Sequence, residues 1–391
     1  MMKARVTATL LNVRMRPGLD APIIGLLERG QEVEVLRVEG DWAVVQLQAG
    51  GARLRTLQPN QPVTAFVFAA YLDFGTPPPT FKLGLNTLIR GRLAKQEAER
   101  GCEFFLCMDD FAAAAEIKRA HPNAVVMARR FFQHGVVPTV EQIIEGLEGA
   151  TNKDLVYIGL NEADQLGQDG ADLRRRAELD IAVARRIKQI SGATYAAGTF
   201  SVGCPDFTNP ETCQIIREIY APAYNSGLIA FDMHPYSPSP QSVDQPSEWK
   251  WFERRWEFLF TRCGFDPRVR AIYFSECGLD NGKGFKGNAY TPERFREWAQ
   301  KFIAIQQMPL IVDGVAYPSP VVGGAIFQYG GNNDPRWDSY DLTDYVPVLR
   351  EFYTGRPVAR GRSTRSTRAP ENETETAQPR KKSTTRRKAA R

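Results

Sequence analysis

Two glutamates stand out among the residues able to do chemistry: Glu162, in LVYIGLNEADQ (155–165), and Glu276, in AIYFSECG (271–278). Each lies at the end of a short apolar run. Two carboxyl groups in one cleft can divide acid–base labour if their surroundings push their pKa values apart. Cleavage of a glycosidic bond needs that division, with one carboxyl protonating the leaving oxygen and the other attacking the anomeric carbon. A separation of about 5–5.5 Å gives retention and a wider one gives inversion. More polar residues end other apolar runs. Asn161 precedes Glu162, His234 and Tyr236 close LIAFDMHPY (228–236), and Arg129 and Arg130 follow AVVMA (124–128). Asn86, the pair Asp109 and Asp110, and Gln328 with Tyr329 complete the set. His234, Tyr236 and an arginine are suited to orient the attacking carboxylate and stabilise its charge. At least one of Asp109 and Asp110 is expected to cap the helix FAAAAEIKRA. Among the tryptophans, Trp256 reads as the core face of a helix in EWKWFERRWEF (248–258). Trp337, in the polar stretch NNDPRWDSYD (332–341), is better placed to stack on a sugar ring.

These residues need a scaffold that brings strand ends together. Apolar runs occur at 81–88, 102–108, 124–131, 155–160, 194–203, 228–236, 271–277 and 323–330. Helical patterns fall between them, among them DLRRRAELDIAVARRIKQIS (172–191) and TPERFREWAQKFIAIQQ (291–307). The second opens with a Thr cap and Pro in its first turn. Eight such units over this length predict a (β/α)8 barrel, whose site forms at the carboxyl ends of the strands. No Gly-rich phosphate loop follows a strand, which disfavours a doubly wound open sheet.

The flanks differ in composition. Residues 1–74 alternate short β-rich runs with Gly-containing turns and predict a small all-β barrel. A stiff Pro-rich linker at 75–80 leads into the barrel at 81–355, and 356–391 reads as a disordered basic tail. The chain of 391 residues has a formal charge of +5, but residues 360–391 alone carry +8, so the remainder is mildly acidic. Six scattered cysteines with no CxxC pair predict reduced thiols rather than a disulfide framework or a zinc site. No apolar run reaches membrane-spanning length, and no secretory leader is recognisable, so synthesis in the cytoplasm is expected, with action outside only after lysis or unconventional release.

Two resemblances sharpen this reading. LLNVRMRPGLDAPIIGLLERGQEVEVLRVEGDWAVVQ (10–46), with the closing run FVFAAYL (66–72), resembles the bacterial Src-homology-type domain common in cell-wall hydrolases. That implies a ligand-binding module, often for peptidoglycan. AGGARLRTLQPNQP (49–62) is longer than the usual final hairpin. Asn161-Glu162 after the fourth strand, His234 and Tyr236 after the sixth, and Glu276 at the seventh resemble the large glycoside hydrolase clan with (β/α)8 barrels. This implies a retaining glycosidase, with Glu162 as acid/base and Glu276 as nucleophile. It also implies that Asn161 binds the sugar 2-substituent, that Tyr236 touches the nucleophile, and that His234 fills the aromatic-or-histidine position. Where that clan offers Trp on strand 8, this chain has Gln328 or Tyr329. Its sugar-binding Arg on strand 2 is replaced by Arg129 or Arg130 on strand 3. Asn86, Gln328 and Trp337 join the expected substrate contacts, and no metal or cofactor is expected. The expected partner is a poly- or oligosaccharide. Peptidoglycan or another anionic wall polymer would meet the module and tail, and nucleic acid is a lesser partner for the tail. The alternative is a non-catalytic carbohydrate- or wall-binding protein on the same scaffold, or an interaction protein working through module and tail.

Overall fold

The computed structural model describes residues 2–39, 42–47, 53–54, 63–68, 71–73, 81–88, 91–132, 137–162, 169–239, 241–330 and 335–354. The larger sheet has nine strands among the described residues; the short strand Tyr236–Ser237 pairs beside Gly278–Leu279, and eight parallel strands make the barrel: Lys82–Leu88, Phe104–Met108, Val125–Arg129, Val156–Ile158, Thr194–Phe200, Ala230–Met233, Ile272–Leu279 and Val321–Ile326. In chain order they are barrel strands 1 to 8. Each of the eight pairs with its successor, and Gly323 opposite Lys82 joins strand 8 to strand 1, so they close into a (β/α)8 barrel.

Alternation along each strand explains the two layers of core. Leu83, Leu85, Phe105, Val126, Tyr157 and Phe274 face the surrounding helices. Phe104, Leu106, Met127, Val156 and Ile158 point inward from strands 2 to 4, against Ala196, Ala230 and Ala325 from strands 5, 6 and 8. Large residues on one side are thus matched by small ones on the other, which fills the interior. Glycine is required at two positions beside Phe104. A Cβ on Gly84 would lie 1.8 Å from the Phe104 carbonyl oxygen, and one on Gly323 would lie 2.4 Å from the Lys82 carbonyl oxygen.

Helix starts follow their sequence signals. Asp110 accepts from the Ala113 N–H at 3.0 Å, and Thr291 accepts from the Arg294 N–H ahead of helix Pro292–Gln307. The expected helix over 248–258 is interrupted. Helix Pro246–Trp249 ends, turns follow, and Glu257–Thr261 resumes. The reason lies in Arg254 and Arg255, both buried. Arg254 donates to the carbonyls of Ile305, Met308 and Pro309, and Arg255 donates to that of Pro205, partners a continuous amphipathic helix would not reach. Trp256 is buried in the core as expected.

The barrel's ends are tied by one buried carboxylate. Glu97, in the first helix (Gly91–Glu99), takes two hydrogen bonds from Arg350 of the last helix (Val346–Thr354), at 2.9 and 2.6 Å. Tyr353 and Arg100 donate to the same group.

The N-terminal module is an antiparallel all-β sheet with its own core, in which Val13, Val35, Val45, Ala65 and Val67 are fully buried. A hairpin of the barrel, Leu310–Val312 with Val315–Tyr317, packs Ile311 against that core. The linker at 75–80, the tail at 356–391 and most of 49–62 lie outside the described residues. All six cysteines are free thiols; five are buried, and burial pushes Cys102 and Cys107 up to about 12.

Candidate active site

Strand 7 delivers Glu276 to the carboxyl end of the barrel, where it is 7% exposed. Its two oxygens take separate donors. Arg129, the last residue of strand 3, ion-pairs with Oε1, and the Tyr236 hydroxyl donates to Oε2 at 2.8 Å. Arg129 also donates to Oδ1 of Asn161, so one buried guanidinium links strand 3 to the residue before Glu162. Burial alone would push the Glu276 carboxyl up. The Arg129 and His234 charges and the bonds from Arg129 and Tyr236 outweigh it and hold the group below the ordinary glutamate value. Tyr236 is itself raised well above the usual tyrosine value by burial and by the neighbouring carboxylates, so it stays a donor.

Glu162 follows strand 4 with a backbone φ of +30°, a conformation that side-chain-bearing residues rarely adopt. Its side chain is 28% exposed. Arg176, fully buried in helix Gly170–Ile190, donates to the backbone carbonyls of Glu162, Gly198 and Thr199. That helix therefore clamps the ends of strands 4 and 5 together. Glu162 Oε1 lies 2.9 Å from His234 Nδ1. One oxygen of each glutamate and a ring nitrogen of His234 all lie within 4.8 Å of one another. A cation placed there would have to break the Glu162–His234 bond or compete with the Tyr236 hydroxyl for Glu276 Oε2.

Behind His234 stand two residues the sequence reading passed over. His234 Nε2 lies 2.9 Å from Ser275 Oγ. The Ser275 hydroxyl donates to Asp232 Oδ2 at 2.5 Å, and the Ser275 N–H donates to Oδ1 at 2.7 Å. Asp232 is fully buried, and burial pushes it up to about 6 against the opposing pull of His234 and Ser275. Burial would lower His234, but the Glu276, Glu162 and Asp232 carboxylates hold it above its ordinary value. A signal for Asp232 existed: Asp232, His234 and Tyr236 recur at every second residue. Arg176 was missed too, although it falls with Asp180 on the otherwise apolar face of its helix.

The remaining expected residues divide. Asn86 lies within strand 1, two residues before its end, fully buried, and neither of its side-chain polar atoms has a partner among the described residues. Gln328, also fully buried, donates to the Trp337 carbonyl at 3.4 Å, while its Oε1 has no partner among them. Trp337 packs against Phe327 and Tyr340, in a cluster that includes Tyr236. Tyr329 turns its backbone N–H to the Asn86 carbonyl. Arg130 is not in the cluster: it ion-pairs with Asp109 at 3.4 Å and lies over the Phe111 ring. Of the acidic pair, Asp110 is the helix cap.

Residues 9–73 match the family model described as bacterial SH3 domain. The N-terminal module is a bacterial SH3-type domain. It bears a groove of about 660 Å³ lined by Leu10, Arg14, Trp42, Phe68 and Tyr71 and flanked by Pro246. No curated protein matches the chain. Solved structures similar to it include a trimodular endoglucanase of subfamily GH5_4, at 12% identity and TM-score 0.46, covering 71% of this chain and 61% of that one. Another is a β-mannanase from Streptomyces thermolilacinus, at 12% identity and TM-score 0.38, covering 79% and 88%. A third is a GH26-CBM35 β-(1,4)-mannanase from Podospora anserina, at 10% identity and TM-score 0.30, covering 90% and 95%.

Proposed function

We propose that the barrel is a glycoside hydrolase acting by retaining double displacement, with Glu276 as nucleophile and Glu162 as acid/base. The observation that carries this reading is the pair itself. Oxygens of the two carboxyl groups approach within 4.8 Å, one buried under Arg129 and the other partly exposed. So close an approach suits direct attack by one carboxylate and supports the retaining member of the two pathways. Glu276, held ionised by Arg129 and Tyr236, attacks the anomeric carbon while Glu162 protonates the departing oxygen. Water, deprotonated by Glu162, then releases the sugar and frees Glu276. Arg129 and Tyr236 fix the direction of the attacking oxygen, and Asn161, tied to Arg129, is placed to meet the ring substituent beside the anomeric carbon.

Asn86 and Gln328 are the best candidates for polar contact with a bound sugar, because both have buried amide atoms with no partner among the described residues, which favours a ligand that supplies one. Trp337 offers the stacking face. The substrate class that fits the whole chain is a cell-wall polysaccharide, with the SH3-type module and the basic tail holding the enzyme to an anionic wall. The module's aromatic groove, where the Arg14 guanidinium lies 6.0 Å over Trp42, is its natural contact surface. Incubating the full chain with a panel of cell-wall polysaccharides, and following the anomer first released by NMR, tests the reading. Retention, abolished by Glu276→Gln in a folded protein, is expected. Oligosaccharide binding without release of reducing ends would instead make the barrel a binding protein.

A further inference from the structure

The hydrogen-bond directions behind His234 carry one step more, which rests on the hydrolase reading only for its catalytic consequence. Asp232 is buried and already receives the Ser275 N–H. Its second oxygen takes the Ser275 hydroxyl proton at 2.5 Å. While Asp232 is ionised it can only accept, so the Ser275 proton is committed to it, Ser275 Oγ meets His234 Nε2 as an acceptor, and that nitrogen carries hydrogen. The free valence of the ring is then Nδ1, 2.9 Å from Glu162 Oε1.

We propose that Asp232 and Ser275 are positioning residues that lock His234 as its Nε2–H form, so that Nδ1 and Glu162 share a single mobile proton. This makes His234 the reservoir for the acid/base. In the first step the shared proton passes from Glu162 to the leaving oxygen as the glycosidic bond breaks and the Glu276 bond to the anomeric carbon forms. His234 is left neutral with its Nδ1 lone pair facing Glu162. In the second step a proton from water returns to the Glu162–His234 pair, the hydroxide bonds to the anomeric carbon and Glu276 departs. Protons balance over the cycle, and no further reactant is needed. The groups facing His234 are Asp232 from its own strand, Ser275 and Glu276 from strand 7, and Glu162 after strand 4; Tyr236 stands edge-on, and Arg129 lies behind Glu276. The buried carboxylates on both sides favour the protonated ring, whose held proton then points at Glu162.

The chain has three histidines, so long-range proton–nitrogen NMR of 15N-histidine-labelled full-length protein resolves the ring directly, without any substrate. His234→Asn identifies its signals. The neutral form reached at high pH should show hydrogen on Nε2 in the unmodified chain, and Ser275→Ala should give a mixture of tautomers with a shifted titration. An Nδ1–H ring in the unmodified chain overturns the lock, whether or not the variant folds, and so do unchanged nitrogen shifts in folded Ser275→Ala. In turnover, Ser275→Ala should slow a phenyl glycoside roughly tenfold to a hundredfold, yet a dinitrophenyl glycoside, which needs no proton, by less than about threefold. Equal losses on both overturn the proton-delivery role. No turnover of any glycoside by the unmodified chain would count against the hydrolase reading, and the nitrogen spectra would still decide the lock.

Discussion

Two buried carboxylates in this barrel are built from the same parts. Glu97 receives an arginine fork from Arg350 and a tyrosine hydroxyl from Tyr353; Glu276 receives Arg129 and the hydroxyl of Tyr236. Both are held below the ordinary glutamate range, against burial, mainly by their arginine partners. They differ in what else is near. Glu97 has a third donor in Arg100 and ties the first helix to the last. Glu276 instead faces His234 and a second, half-open carboxyl. The same arginine and tyrosine donors therefore serve as a fastening at Glu97, and at Glu276, on the reading proposed above, they hold a carboxylate ready beside a second acid.

Substitutions can sharpen that contrast. The largest effect is expected from Glu276→Gln, a loss of about 10⁴-fold or more in kcat in a chain that still folds, read by reducing-end release and calorimetry. Glu97→Gln should do the reverse. Breaking a buried pair costs about 3–5 kcal/mol of unfolding free energy in a denaturant titration, while the folded fraction keeps its turnover. Next come the tyrosines. Tyr236→Phe should reduce kcat roughly tenfold, and Tyr353→Phe should leave kcat alone and remove about 1 kcal/mol of stability. If Tyr353→Phe slowed turnover as much as Tyr236→Phe, the distinction drawn here would fail. The smallest effect concerns acid. Because Glu97 is depressed in the folded chain, its contribution to stability is complete above the ordinary value of 4.5 and is lost as pH falls through the folded value. The thermal midpoint should decline on acidification through that window, and Glu97→Gln should flatten the decline.

Much of the barrel was legible because its strands are apolar on both faces and end abruptly in polar residues. Those ends converge in space, so Asn161, Glu162, His234, Tyr236 and Glu276 could be grouped without contacts in hand. Arg129 was separable from Arg130 only by alternation, one side chain pointing into the barrel and the other toward Asp109. Ser275 was hidden because a small hydroxyl inside an apolar run looks like tolerated packing. The hairpin at 310–317 carries an Asp313-Gly314 turn signal that went unread, although such a pair between apolar runs is a strong local cue. The break in the helix near 250 was not readable locally. It depends on carbonyls of residues 305–309, some fifty positions away.

The layer of inward side chains around Phe104 has a kinetic meaning. With Phe104, Leu106, Met127, Val156 and Ile158 filling the interior below the site, a ligand of the enzyme proposed above would come and go by the doorway at the carboxyl ends of the strands. Arrival and departure then share a single threshold. A product lingering there excludes the next substrate and should inhibit competitively, and traffic through that doorway, rather than bond cleavage alone, can set the pace of repeated turnover.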